Sequence, residues 1–199
     1  MPKKRKVNVR KVQARLFILC EGEKTEPNYF DKFIEDCRLS PLVEVKVIST
    51  KSNTNKELVG EAKSFKDIEG DQVWVVVDKD GYTKHPEAFN TARDNGIHIA
   101  FSSISFEFWI LLHFEYTTRA FQKSADIISH LKHQHGFLYR KNDQTVFAQT
   151  RDSLETAMTN AGKVRKYQAG AGGKIYDWNS YTDVDLLIEA IQNLRKSVS

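Results

Sequence analysis

Glu21 directly follows the apolar run Leu16-Phe17-Ile18-Leu19-Cys20, and Asp78 directly follows Val73-Trp74-Val75-Val76-Val77. Asp80 stands two residues past Asp78, and Gly81 then permits a sharp exit of the chain. Short continuous apolar runs mark strands buried on both faces. In an open α/β sheet the loops at the carboxyl ends of such strands build the ligand site, so Glu21 and Asp78 are expected at one edge. If strand geometry persists past Asp78, Asp80 points the same way. Carboxylates gathered in one crevice repel each other and call for a cation. Mg²⁺ suits, because it takes a few carboxylates, several waters and substrate phosphate oxygens; Mn²⁺ is an allowed substitute. Taken singly, a D-x-D after a strand also fits a helix cap or a solvated loop, and Glu21 fits a surface residue. Their joint placement carries the reading.

Other residues are weighed around these three. Glu107 sits among Phe106, Phe108, Trp109, Ile110, Leu111 and Leu112, where an unpaired carboxylate is expensive. It is expected to face the site, with a structural Lys/Arg pair as the alternative. His113 is six residues on, off the helical face of Glu107, and reads as structural. Lys24 and Lys79 flank the acids and could contact a scissile phosphate or steady a leaving oxygen, or simply be solvated. Glu23 and Glu26 read as helix-start acids favoured by the helix dipole. His130, His133 and His135 invite zinc, but no cysteine or acid completes a recognisable spacing, so zinc is not expected. Arg140, Lys141, Lys163, Arg165 and Lys166 could line a nucleic-acid path, although a charge run is usually a solvated face.

The elements that must position these groups follow from local pattern. After Glu21, Thr25 can cap a helix and Pro27 is tolerated in its first turn. Tyr29, Phe30, Phe33 and Ile34 recur on that helix at core spacing. Val43-Glu44-Val45-Lys46-Val47 alternates as a half-exposed strand, and a helical stretch runs from about 55 to 68. Residues 86–95 read as a helix closed by Gly96, 97–101 as a strand, and 105–114 as an aromatic-rich helix. Strand and helix alternating in this way predict a mostly parallel sheet covered on both faces. Farther on, 122–134 and 151–166 look helical, 139–143 looks like a turn, and the glycines of 166–179 suggest a mobile loop. Val184, Leu187, Ile188, Ile191 and Leu194 form one apolar stripe of a final helix. The division expected is a basic, disordered tail over 1–14, an α/β core over 15–118, and a mainly helical extension over 119–199 packed on the core.

Composition narrows the function classes. The chain has 199 residues, 40% hydrophobic and 28% charged, as a globular protein does. No apolar run reaches the roughly 20 residues of a membrane span, and the N-terminus lacks the apolar stretch of a secretory signal. Cys20 and Cys37 form no C-x-x-C pair and no disulfide framework. A reducing, cytoplasmic setting is therefore expected. The net charge of +4 is unevenly held: residues 1–15 carry seven Lys/Arg and no acid, leaving 23 Lys/Arg against 26 Asp/Glu elsewhere. Such a tail attracts phosphate without specificity. Its Pro2-Lys3-Lys4-Arg5-Lys6-Val7 also matches a monopartite nuclear localisation signal, which an engineered or coincidental string would equally produce.

Glu21 after the first strand and Val77-Asp78-Lys79-Asp80 after a later one resemble the Toprim pattern of topoisomerases, primases and OLD-type nucleases. More narrowly, Leu19-Cys20-Glu21-Gly22-Glu23-Lys24-Thr25-Glu26-Pro27-Asn28-Tyr29-Phe30 resembles the opening motif of RloB-like proteins. So do Val77-Asp78-Lys79-Asp80 and Ser105-Phe106-Glu107-Phe108-Trp109-Ile110-Leu111-Leu112-His113-Phe114. Tyr139-Arg140-Lys141 and Asn179-Ser180-Tyr181-Thr182-Asp183-Val184 are less specific. In the last of these Asn-Ser-Tyr-Thr stands where the family pattern has Asn-Pro-Ser-Thr, so no role is assigned to that loop. The resemblance implies an α/β, Toprim-like central sheet with a helical C-terminal extension. It also implies Mg²⁺ dependence and prokaryotic phage defence beside an ABC/AAA-type ATPase. By that analogy Asp78 and Asp80 hold the metal, and Glu21 is a ligand or general acid/base. Glu107 and Lys24 are the further catalytic candidates.

The resulting expectation is a Mg²⁺-dependent nuclease acting on DNA or RNA, tRNA included, with no membrane partner and a homo-oligomer allowed. Gly170-Ala171-Gly172-Gly173-Lys174 lacks Walker A spacing, so an ATP-driven switch would come from another chain. One alternative is a Toprim-like binding or sensor subunit without catalysis. The other is a phosphatase of the HAD type, disfavoured because Tyr82 replaces the Thr or Val its D-x-D motif needs.

Overall fold

The computed structural model describes residues 14–21, 24–52, 54–66, 70–79 and 84–197. Asp80, with Gly81, Gly22, Glu23 and the basic string at 2–7, lies outside the described residues. Five strands form one sheet: β1 (Ala14–Glu21), β2 (Val43–Thr50), β3 (Gln72–Asp78), β4 (His98–Ser103) and β5 (Tyr181–Thr182). Their order is β2-β1-β3-β4-β5, parallel throughout except for the antiparallel β4–β5 pair. The mostly parallel sheet flanked by helices is the α/β class expected. β1 begins at Ala14, one residue before the expected core, and Arg15 Nε donates to Asp71 Oδ1 at 2.9 Å.

Side-chain alternation sorts the strands' residues to the two faces. Leu16, Ile18, Cys20, Trp74, Val76 and Ala100 join one core with Tyr29, Phe30 and Phe33 of α1 (Thr25–Cys37). The same core takes Phe108 to Leu111 of α4 (Glu107–Leu111) and the Val184, Leu187, Ile188, Ile191 and Leu194 stripe of α8 (Val184–Ser197). Phe17, Leu19, Val73, Val75, Val77 and Phe101 face the other way, onto α2 (Asn55–Ala62) and α3 (His85–Asp94). Both faces of the central strands are thus apolar, which is why β1 and β3 read as continuous runs. β2 is the sheet edge and alternates.

Three helical expectations change. The 105–114 segment is helical only over α4, with turns on either side. A short helix α6 (Val146–Thr150) precedes α7 (Leu154–Ala171), while α5 (Ser124–His135) matches the 122–134 reading. The expected mobile loop at 166–179 is helical as far as Ala171. Val164 and Gln168 are buried, and Gln168 Nε2 donates to Ser180 O at 3.1 Å. These tertiary anchors outweigh the helix penalty of Gly170. Trp178 Nε1 then holds Gly172 O at 2.7 Å. Among the described residues no helix is long and apolar enough to cross a membrane.

The C-terminal third supplies β5 as well as helices. Asn179 brackets Phe121, accepting its N–H (3.3 Å) and donating to its O (2.8 Å). Ser102 Oγ and Thr182 Oγ1 share a buried hydrogen bond at 2.9 Å. The segment to which the sequence assigned no role therefore closes the sheet against β4.

Candidate functional site

Asp78 is the last residue of β3, two past Val76. Because Val76 packs on the α1 side, alternation directs Asp78 to that side too. There it meets the first turns of α1 and α4. Lys24, Thr25, Glu26, Asp78, Glu107, Lys141 and Asn142 line a crevice of about 340 Å³. Glu21, half-buried at the end of β1, helps raise the pKa of both Glu26 and Asp78 through its charge.

The end of β3 is fixed by hydrogen bonds the sequence did not reveal. Asn55 Nδ2 donates to Asp78 O at 3.2 Å and also contacts Nδ1 of buried His85 at 3.2 Å. His85 Nε2 lies 3.2 Å from Lys79 O, so one tautomer, Nε2–H donating and Nδ1 accepting, satisfies both contacts. Lys79 N–H is shared between Ser102 O and Ile104 O at 2.9 and 3.1 Å. Each bond restrains the backbone from which the Asp78 carboxylate projects.

The electrostatics of the crevice are under-compensated. Burial pushes the Asp78 carboxyl well up, and the charges of Glu26, Glu107 and Glu21 push it further; the N–H of Phe106 opposes this. Glu26 is pushed up from 4.5 to about 7, first by burial and then by Glu107, with Lys141 opposing. Glu107 accepts a hydrogen bond from Tyr139 Oη at 3.2 Å and has Lys141 Nζ at 3.9 Å. That lysine side chain is 62% exposed against 5% for Glu107, so solvent weakens its counter-charge. Burial, followed by the Glu107 charge, raises the Tyr139 phenol too, keeping it a neutral donor.

Asp78, Glu107 and Lys24 share the crevice lining, and Glu21 lies near enough for its charge to act on Asp78 and Glu26; Asp80 is outside the described residues. Glu26 joins them. It occupies the first turn of α1, where the dipole reading placed it, and its charge acts on Asp78 more strongly than that of Glu21. Thr25 does not cap α1: the cap position is Lys24, with no side-chain bond, and Thr25 Oγ1 accepts Asn142 N–H at 3.2 Å. That contact draws the 139–142 turn over the crevice and explains Lys141 at its rim.

Other candidates disperse. Lys79 Nζ donates to the carbonyls of Asp177 and Trp178 at 3.2 and 3.1 Å, so it braces a loop. His113 is structural: Nδ1 lies 3.1 Å from Trp109 O, Nε2 lies 3.3 Å from Tyr29 Oη, and burial lowers its pKa to about 4. Arg165 is committed to Asp183 and Asp185. Lys163 and Lys166 instead line an open groove with exposed Tyr116 and Tyr167.

Among protein families, residues 16–191 match the RloB-like protein family. The chain belongs to the RloB-like family. Comparison with curated proteins and with solved structures gives no match. The RloB-like match covers β1 from Leu16, the other four strands whole, and every lining residue of the crevice.

Proposed function

We propose that the chain is a Mg²⁺-dependent, Toprim-type nuclease that hydrolyses phosphodiester bonds of DNA or RNA, tRNA included. One observation carries the reading: Glu21, Glu26, Asp78 and Glu107 gather at the carboxyl ends of β1 and β3, and the lining cations are rim lysines. Buried carboxylates so poorly compensated are costly, and a divalent cation removes that cost.

The donor set is all oxygen, which fits Mg²⁺ or Mn²⁺ rather than a softer ion. Asp78 and Glu21 are the ligands on described residues, and Asp80 is the third by motif. The bound metal would stabilise charge developing on the phosphate and lower the pKa of an attacking water. Glu26, raised to about 7, is the carboxyl able to exchange a proton near neutrality. Tyr139 orients Glu107, and Lys24 and Lys141 bind phosphate at the rim. The groove with Tyr116, Tyr167, Lys163 and Lys166 offers rings for base stacking and cations for phosphate. The family resemblance supports prokaryotic anti-phage defence beside an ABC/AAA-type ATPase.

The test uses purified chain, Mg²⁺ or Mn²⁺, and labelled tRNA, single-stranded DNA and double-stranded DNA, with and without the ATPase. Wild-type protein is expected to cut at least one substrate in a metal-dependent way. Asp78→Asn, checked for folding, should be slower by about a thousandfold, the scale of several kcal/mol of lost transition-state stabilisation. If no substrate is cut in any combination, the nuclease reading fails and a binding or sensor subunit remains.

A further inference from the structure

A second cluster shares no residue with the crevice. Glu115, in the extended segment after α4, meets His130 and His135 of α5: His130 Nε2 lies 3.0 Å from Oε1 and His135 Nε2 lies 3.0 Å from Oε2. One ligand atom from each of the three side chains falls within 4.8 Å of the others. We propose that Glu115, His130 and His135 form a Zn²⁺ site with a fourth position open to water.

The chemistry separates this site from the crevice. Two imidazole nitrogens and one carboxylate oxygen suit zinc, whereas Mg²⁺ prefers oxygen alone. Tetrahedral zinc with bonds near 2.0–2.2 Å sets its ligand atoms about 3.3 Å apart, so the two 3.0 Å contacts open slightly and the imidazole pair, within 4.8 Å, closes on the ion. The side chains are 15%, 19% and 29% exposed, enough for a water to reach the fourth position. His135 is the last residue of α5, and Gly136 follows with φ +65°. That left-handed turn carries Phe137 back to within 4.9 Å of the Phe114 ring, which also lies 5.4 Å from His135. The rings restrain the ligands on either side.

Metal binding makes one demand on a neighbour. Arg119 Nη1 lies 3.4 Å from His130 Nδ1, and a guanidinium can only donate. Without metal, the His130 proton therefore sits on Nε2, facing Glu115. For Nε2 to bind zinc, the proton must move to Nδ1 and the long Arg119 contact must open. Arg119 acts against the metal, so its removal should tighten binding. Bound zinc would pin the 115–121 segment to α5, and Asn179 already clamps Phe121 of that segment to the β5 approach.

The full untagged chain, stripped with chelator and dialysed, is titrated with ZnCl₂ and separately with MgCl₂. One equivalent of zinc is expected, unaffected by excess Mg²⁺, and Co²⁺ in its place should give the visible bands of a tetrahedral ion. The melting temperature should rise by roughly 5–10 °C at a hundredfold excess over Kd. His130→Ala with His135→Ala, and separately Glu115→Gln, should lose this equivalent. His133→Ala and Asp78→Asn should keep it, and Arg119→Ala should bind more tightly. Substoichiometric uptake by wild type, or loss on His133→Ala equal to that of the double variant, overturns the site.

Discussion

Two groups of buried acids lie at different places on this fold, and their surroundings differ in kind. Asp183 and Asp185, side chains 7% exposed, are met by Arg165, whose fork binds Asp185 through both nitrogens and reaches Asp183 at 3.4 Å. Tyr181 Oη also donates to Asp183. Pairing with Asp185 raises the Arg165 guanidinium further. Asp183 is still pushed up to about 6 by burial, because its own contact with the arginine is the long one. Among the described residues, Glu26, Asp78 and Glu107 have no comparable guanidinium; their help is a phenol, a backbone N–H and exposed lysines. The first group is complete within the chain and ties β5 and α8 to α7. Among the described residues the second has only exposed lysines for cationic charge, and the proposed metal site rests on that difference.

The contrast can be broken most severely at Arg165. Removing one partner strands buried charge, so Arg165→Ala should destabilise by about 3–5 kcal/mol, lowering the melting temperature by roughly 6–20 °C with or without Mg²⁺. A loss that Mg²⁺ fully rescues would show the two groups to be alike.

Next in size is the response to pH. The folded chain keeps the Glu26 proton up to about pH 7, whereas the unfolded chain releases it near 4.5. The folded state therefore binds more protons in that window, and metal-free stability should fall as pH rises through it. The change should be on the order of 2 kcal/mol after solvent screening. Denaturant melts at several pH values should show the slope, and saturating Mg²⁺ should flatten the crevice's share of it while leaving that of Asp183.

Above about pH 7, where Glu26 is ionised, Glu26→Gln should stabilise metal-free protein by about 1 kcal/mol, since it removes a repelling charge, and should weaken Mg²⁺ binding. Destabilisation at pH 8 would mean the charge is already compensated. Lys141→Ala is the smallest change, under about 0.5 kcal/mol in stability for an exposed pair, with its effect visible mainly in nucleic-acid affinity.

The comparison also explains what could be read from residues alone. Glu21 and Asp78 were legible because buried runs end at them. Glu107 was legible because a carboxylate among aromatics demands a reason. Glu26 reads only as a helix-start acid because the helix dipole is a complete local explanation, and nothing local reports that α1 starts over the end of β3. Glu115 was missed for a related reason: it meets His130 and His135 only after a 14-residue detour closed by tertiary packing. The two residues of β5 show no periodicity, and the end of α7 is set by Gln168 reaching Asn179 and Ser180, contacts a glycine count does not foresee.

The central claim is that the Asp78 crevice is a divalent-cation site, and calorimetric titration of Mg²⁺ and Mn²⁺ into the metal-free chain tests it most directly. The account predicts saturable binding that is lost in Asp78→Asn and retained in His130→Ala, although the substituted protein melts as high as wild type. Equal binding by Asp78→Asn and wild type, or no binding by either, would contradict it.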